Sequence, residues 1–540
     1  MPSGPAPASL ARGAAVTTLA TAASRVTGLV RVIVVAGAMG TTFLANTYQT
    51  ANTAPNILFE LLAAGVLTSV FVPTFVGYLV AGRSREGWDA ANALASVALA
   101  ALLGLAVVLA LAAPVVMRVL TLGVEDDVLR AREIALGSQL LRLFAPQVIF
   151  YGAGMIMMGA LHAHRRFALP ALAPIFNNVV VIAVYLIYAA VRAGRPPDID
   201  RVTAGETLLL GAGTTAGVVA MTACLMPQLT RLGWRFRFRF DPHHPAVRKA
   251  GRLAVWALGY AGGYQAGLVV VLVLANRVEG GVAAYQWAYT FFYLPHAFFG
   301  VPLFNVLFTA MSEHAAAGDP NAFAHRLRDG LGMLAFLLVP VSLFLVVAAH
   351  PLARVTLQYG VMTTSGAALI ARVLAALALG LPFYSAFLVF TRAFYARSDA
   401  RTPALVNAGT VLLASVSGAA LFLALPARWA VAGLALGHSF AFAVGALFLG
   451  WLSLRAGRQE PRLGAPIRRI IAGAAVSGAA MSAVRLGLAD GTRYETLANL
   501  LATAIAGAIV YLGAMRLLRA PELDRLVGLV KRPEGAGTVG

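Results

Sequence analysis

Cysteine is almost absent: the chain has 540 residues and a single Cys224, set in the apolar run MTACLMP. An internal disulfide and any cysteine-rich metal site are thereby excluded. Charge is scarce as well, with 12 % charged residues, about half the share of an ordinary soluble domain. The chain also lacks a Walker loop, a G-x-S-x-G or H-E-x-x-H motif, and any carboxylate pair at catalytic spacing. ATP hydrolysis and the common hydrolytic mechanisms have no residues to run on, so neither an enzyme nor a cofactor is expected. The N-terminal MPSGPAPASLARGAAV shows no short apolar core followed by a small-residue cleavage site, and it is read as retained rather than as a removable signal.

What is present is hydrophobic length. Apolar residues make up 59 % of the chain, in runs of about 20 to 30 that recur to its end, which is the pattern of an all-α polytopic membrane protein. Breaks at charged and Pro/Gly-rich joints predict fourteen helices, near 10–39, 50–82, 88–117, 136–163, 168–192, 204–230, 247–276, 281–313, 328–349, 366–396, 403–425, 429–455, 467–487 and 494–518. The net charge of +20 would suggest nucleic acid in a soluble protein. Here Lys and Arg gather on alternate loops, among them GRSREG, HAHRRF, the loop around RFRFRF, YARSDARTP and the C-terminal tail. By the positive-inside rule both termini are then cytoplasmic, and the basic loops face anionic phospholipid headgroups. RFRFRF, residues 235 to 240, admits a base-stacking reading, but an interfacial segment with Phe in lipid and Arg at the headgroups fits better. No nucleic-acid partner is expected.

Two internal echoes organise the chain. LFAPQVIFYGAG resembles LGLPFYSAFLVF, with Pro146 over Pro382, and the following loops align Pro170 with Pro403. Likewise PNILFELLAAGVL from Pro55 resembles PHAFFGVPLFNVL from Pro295. Six helices separate each pair, which implies two six-helix lobes of parallel topology, as transporters use for alternating access. The expected organisation is 1–240 for the first lobe with its basic loop, 241–456 for the second, 457–520 for two appended helices and 521–540 for a cytoplasmic tail.

The chemistry stands in the first helix, in ASRVTGLVRVIVVAGAMG, where Arg25 and Arg31 lie inside an apolar run. A central arginine costs roughly 2.5–3.5 kcal/mol on insertion scales. Six residues separate the two by about 9 Å along the axis and about 120° around it, so they can flank one cavity. Guanidinium binds phosphate bidentately and keeps its charge when dehydrated, which points to a phosphate-bearing substrate. The competing readings are that both arginines snorkel or that they pair with Glu60, on helix 2. Glu60 itself is either a switch that releases an arginine to substrate or half of a permanent salt bridge. Small residues four apart on helix 13, Gly473 with Ser477 and Ala474 with Gly478, permit close helix packing. His438 stands alone on helix 12 and is read as structural.

SRVTGLVRVIVVAGAMG, PNILFELLAAGVLTSVFVPTF, LHAHRRFALPALAPIFNN, LQYGVMTTSG and FYARSDARTPALVN, in that order, together resemble the MurJ (MviN) family of lipid II flippases. The resemblance implies a fold of two six-helix lobes in a V around a central cationic cavity, with helices 13 and 14 forming a groove for a polyprenyl tail. It implies a substrate, lipid II or a similar polyprenyl-diphosphate-linked glycan, moved from the inner to the outer leaflet of the bacterial cytoplasmic membrane for cell-wall synthesis. Arg25 and Arg31 match two family cavity arginines, assigned by the resemblance to the diphosphate and head group. The chain departs from the pattern at Asn46, where an acidic residue is expected, and at Phe59 and Thr290, where arginines are expected. Arg277, at the end of helix 7, either replaces one of the missing charges or sits at the interface. Without a nucleotide site, the drive is expected from the membrane potential or an ion gradient. Two other readings remain: an exporter of another polyprenyl-linked oligosaccharide, and a membrane scaffold whose basic loops dock cell-wall synthesis proteins.

Overall fold

The structure is a computed structural model and describes residues 7–66, 84–243, 262–263, 265–456, 464–488 and 491–531. Every regular element among the described residues is helical. The first part of the chain runs through α1 (Pro7–Met39), α2 (Phe43–Val66), α3 (Ser84–Leu120), α4 (Asp127–Phe144), α5 (Gln147–Ala163), α6 (Ala168–Arg192), α7 (Ala204–Ala223) and the short α8 (Met226–Arg231). A 3-10 turn at Ile199–Arg201 precedes α7. The chain continues with α9 (Gln265–Ala275), α10 (Gly281–Pro295), a π-helical turn at His296–Gly300, α11 (Val301–Ala316), α12 (Pro320–Val347) and α13 (Ala349–Leu357). It ends with α14 (Thr364–Ala378), α15 (Leu381–Ala396), α16 (Arg401–Ala424), α17 (Ala427–Ala456), α18 (Gly464–Gly487), α19 (Arg493–Leu517) and α20 (Pro521–Lys531).

Eleven helical segments among the described residues are long and apolar enough to cross a membrane, or twelve if the bent pair α14 and α15 is one span. These correspond to twelve of the fourteen helices expected. The other two, 50–82 and 247–276, run into residues outside the described set, as do the boundary at 456/457 and the end of the basic tail. Large apolar side chains face outward along the spans, for example Leu405, Leu412, Val416 and Leu423 on α16. An apolar outside is a cost in water and the required surface in lipid.

The chain divides into two compact units. The first comprises residues 1–283 with 358–366, the second 284–357 with 367–540; the division thus falls after the 240/241 boundary read from the sequence. In the first unit, segment 358–366, the LQYGVMTTSG motif, closes on the end of α1. Val361 N donates to Gly37 O over 2.9 Å. Gly360 adopts φ +55°, and a Cβ there would stand 2.3 Å from the same carbonyl oxygen, so only glycine fits.

The proline echo has a structural counterpart. Pro146 separates α4 from α5, and Pro382 lies in the first turn of α15, just after the 44° bend from α14. Proline cannot donate a hydrogen bond, and a bare carbonyl in hydrocarbon costs several kcal/mol. Each break is served from a neighbouring helix. In the first unit, Thr215 Oγ1 donates to Leu143 O over 2.8 Å. In the second, Ser342 Oγ donates over 2.6 Å to Ala378 O, the carbonyl Pro382 leaves unserved, while Ser439 Oγ serves Ala376 O over 2.7 Å.

Small residues set the closest helix contacts of the second unit. Gly437 of α17 lies so near α16 that a Cβ on it would stand 2.3 Å from Gly418 N. On α18, Gly473 faces Met515 of α19, and Ser477 Oγ donates to Gly507 O over 2.8 Å. Ala474 and Gly478 turn instead to α12, packing with Phe336 and Leu343. Both four-residue pairs therefore pack, against two different helices.

Candidate functional site

In the first unit, α1 packs along α6, and Gly28 on α1 leaves room for Asn178 of α6 to approach it. Asn178 Nδ2 donates to Thr27 Oγ1 over 3.0 Å and to Ser24 O over 3.4 Å. This amide fixes the stretch of α1 between Arg25 and Arg31. Arg25 is exposed, whereas Arg31, nearly two turns on, is half-buried.

Three phenols lie within reach of the Arg31 charge. Its charge acts on Tyr48 of α2, Tyr151 of α5 and Tyr185 of α6. Tyr48 is itself held firmly: its hydroxyl is 2.6 Å from Thr214 Oγ1 of α7. Its ring stands edge-on to Phe144 and Tyr185, with centroids 5.4 and 5.7 Å away. Phe59, at the position where the resemblance implies an arginine, lies 5.0 Å from the Tyr151 ring. Among the described residues no carboxylate forms an ion pair with Arg31. These phenols carry no negative charge, so they do not neutralise the membrane-embedded cation.

The other singled-out residues stand elsewhere. Glu60 is exposed, and its carboxylate accepts a hydrogen bond from Gln265 Nε2 of α9; among the described residues it is not paired with Arg25 or Arg31. Asn46 is fully buried with its amide satisfied by backbone. Its Nδ2 donates to Val278 O over 2.8 Å, and its Oδ1 accepts from Val282 N at 3.0 Å, so it clamps α2 to the turn before α10. Arg277 pairs with Glu125 at 3.5 Å, and that carboxylate is 82 % exposed in the loop after α3, which favours the interfacial reading. Thr290 Oγ1 bonds back to Gln286 O of its own helix over 3.1 Å.

Sequence reasoning missed Tyr48, Tyr151 and Tyr185. Tyr151 and Tyr185 lie in apolar runs where a tyrosine reads as core or interface, Tyr48 lies in the polar stretch ANTYQTANT, and only helix packing brings all three within reach of one arginine's charge. It also missed Glu133, fully buried on α4; as one acid in the charged run EDDVLRARE, it gave no sign of facing inward. In the second unit, His438 is not alone: with His296, Tyr384 and Phe442 it belongs to one aromatic cluster, 6.1 Å from Tyr384 and 4.6 Å from Phe442. Among the described residues no group of three or more His, Cys, Asp or Glu side chains is placed to hold a metal ion.

The family model for the lipid II flippase MurJ matches residues 35–505; Arg25 and Arg31 precede the matched stretch. The chain is 29 % identical over 536 residues to a probable lipid II flippase MurJ of Rhizobium meliloti, covering 96 % of each protein. It is 26 % identical to the corresponding protein of Thermotoga maritima, over 94 % of this chain and 97 % of that one. Among solved structures, a lipid II flippase MurJ in an inward closed conformation superposes with a TM-score of 0.74 at 20 % identity, covering 95 % of this chain and 99 % of that one. An inward-facing MATE transporter of the MOP superfamily gives 0.64 at 13 % identity, over 80 % of this chain and 94 % of that one. These two structural likenesses show the fold.

Proposed function

As the chain belongs to the MurJ family of lipid II flippases, a multi-span transporter of the bacterial cytoplasmic membrane and not an enzyme, we propose that it takes lipid II from the inner to the outer leaflet by alternating access. In this reading Arg31 and Arg25 hold the diphosphate of the lipid-linked precursor. The observation that carries it is the half-buried Arg31, whose charge reaches Tyr48, Tyr151 and Tyr185 and which lacks a carboxylate counter-ion among the described residues. A guanidinium bound to a diphosphate makes two parallel charge-assisted hydrogen bonds. The half-burial of Arg31 and the exposure of Arg25 suggest an order of engagement, with Arg25 meeting the anion first.

The basic surface has a matching role. Residues 235–240 are exposed and lie in no helix; the stacked rings of Phe238 and Phe240 fit an extended run, which sends alternate side chains to opposite sides. Phe236, Phe238 and Phe240 thus share one side and Arg235, Arg237 and Arg239 the other. The segment is tied to α3 by Ser96 Oγ, which accepts from Arg239 N over 2.8 Å, and by Asn92, which accepts from Trp234 Nε1 over 3.0 Å. This amphipathic strip suits the cytoplasmic surface of an anionic bilayer, in keeping with cytoplasmic termini. Membrane potential or an ion gradient supplies the drive.

The test is depletion in the host cell followed by analysis of lipid-linked precursors. Lipid II should accumulate on the cytoplasmic face and be cleared by the wild-type chain but not by Arg31→Ala, with equal amounts of protein in the membrane. Accumulation of a different polyprenyl-linked glycan would overturn the substrate assignment.

A further inference from the structure

Glu133 stands on α4, within the span Asp127–Ala163, and is fully buried. Neither of its carboxyl oxygens has a hydrogen-bond partner among the described residues. Burying a carboxylate away from water without a partner costs several kcal/mol or more, so such groups are rare and call for a role.

Among the described residues, no ion pair joins a neighbouring element to Glu133. On α2, the only charged residue is Glu60, occupied by Gln265. On α3, Arg118 is exposed. Beside α4, Asp200 of the 3-10 turn is taken by Arg132, and Asp198 by Arg201 at 3.6 Å. On α7, Glu206 is paired with Arg192 at 2.9 Å. On α4 itself, Arg130 is one turn away, yet no ion pair joins it to Glu133 among the described residues.

A polar neighbour is Thr47 of α2. Its hydroxyl proton is already given to Phe43 O over 2.9 Å, so its oxygen has only lone pairs to offer. A carboxylate, which needs donors, gains nothing from such a neighbour, whereas a carboxylic acid can donate to it. The surroundings thus suit the neutral acid. The adjacent residue, Tyr48, faces the Arg31 cluster, so α2 links the buried acid to the cationic site.

We propose that Glu133 is a proton-binding site of the transport cycle, carrying its proton while α2 and α4 are packed together and releasing it to water when they part. The O–H bond of the carboxyl breaks, water takes the proton, and the carboxylate left behind is hydrated until the helices close and a proton returns. Because α2 carries both Thr47, beside Glu133, and Tyr48, which feels the charge of Arg31 on α1, a movement of α2 that opens Glu133 to water also changes the surroundings of Arg31. This rests on the transport reading above.

The test uses the full chain in liposomes. Infrared spectra of the wild type at neutral pH should contain the carbonyl stretch of a protonated carboxyl group that is missing in Glu133→Gln. This readout needs no substrate, so it stands even if the chain fails to move lipid II, a failure that would strike the functional assignment instead. With lipid II present, wild-type flipping should vary with pH, and Glu133→Gln should bind lipid II as the wild type does while flipping at least about tenfold more slowly, a loss of roughly 1.4 kcal/mol, without that pH dependence. Glu133→Asp, which keeps a titrating group, should retain a pH dependence with a displaced midpoint and serves if the Gln variant does not fold. Absence of the infrared difference, or wild-type rates with an unchanged pH profile in Glu133→Gln, would overturn the proposal.

Discussion

Arg31 and Asp399 show how differently charged residues are used in this chain. Arg31 is half-buried among three tyrosines. Removing it should cost the net worth of a charged hydrogen bond, about 1.5–3 kcal/mol, or roughly one to two powers of ten in affinity for a diphosphate lipid. Arg31→Lys keeps the charge but loses the planar fork, so it should fall between wild type and Arg31→Ala when binding is titrated. Asp399, by contrast, lies in a loop between spans. Hydrogen bonds from the side chain and backbone of Thr402 hold its carboxyl below the usual range, the backbone contact being 3.0 Å. A lowered carboxyl stabilises the fold above its unfolded value, and that contribution is lost as pH falls through the folded value. Asp399→Asn should therefore lower the melting temperature at neutral pH, and the gap from wild type should close in strongly acid buffer. At this scale the sequence was legible only in part. Arg25 and Arg31 stood out because a cation in an apolar run is conspicuous, whereas Glu133 and the tyrosines became visible only once packing placed them.

The helices themselves follow from local chemistry that sequence displays well. Thr203 with Glu206 and Thr492 with Glu495 form capping boxes at the starts of α7 and α19, and the proline echo marks the two breaks at Pro146 and Pro382. Which residue repairs each break was not legible, because Ser342 and Thr215 are distant in sequence from the carbonyls they serve. Ser342→Ala should expose Ala378 O in the bend and cost about 1–3 kcal/mol, read as a lower melting temperature in detergent. Gly437→Ala tests the closest approach of α16 and α17. The new methyl would meet backbone rather than a side chain that can turn aside, so the destabilisation should lie toward the upper end of the 1–3 kcal/mol typical of overpacking. The pairing of small residues on α18 was legible as a pattern, while its division between α19 and α12 needed the three-dimensional arrangement.

For the whole molecule, composition alone identifies a polytopic helical membrane protein, since no soluble fold leaves so much apolar length without a water-facing polar side. The echoes between halves and the family resemblance gave the transporter class, which the match over residues 35–505 bears out. What composition could not supply is the electrostatic arrangement of the first unit, where, among the described residues, Arg31 has no carboxylate partner while Arg192 and Arg277 each have one. On the proposed reading, Arg31 is the cation that meets the diphosphate. The most direct measurement is lipid II flipping by the purified chain in liposomes, followed with a membrane-impermeant reagent that modifies only outward-facing head groups. The wild type should expose lipid II from the inner leaflet and Arg31→Ala should expose it no faster than protein-free liposomes do; wild-type flipping by Arg31→Ala, or none by the wild type, would contradict the assignment.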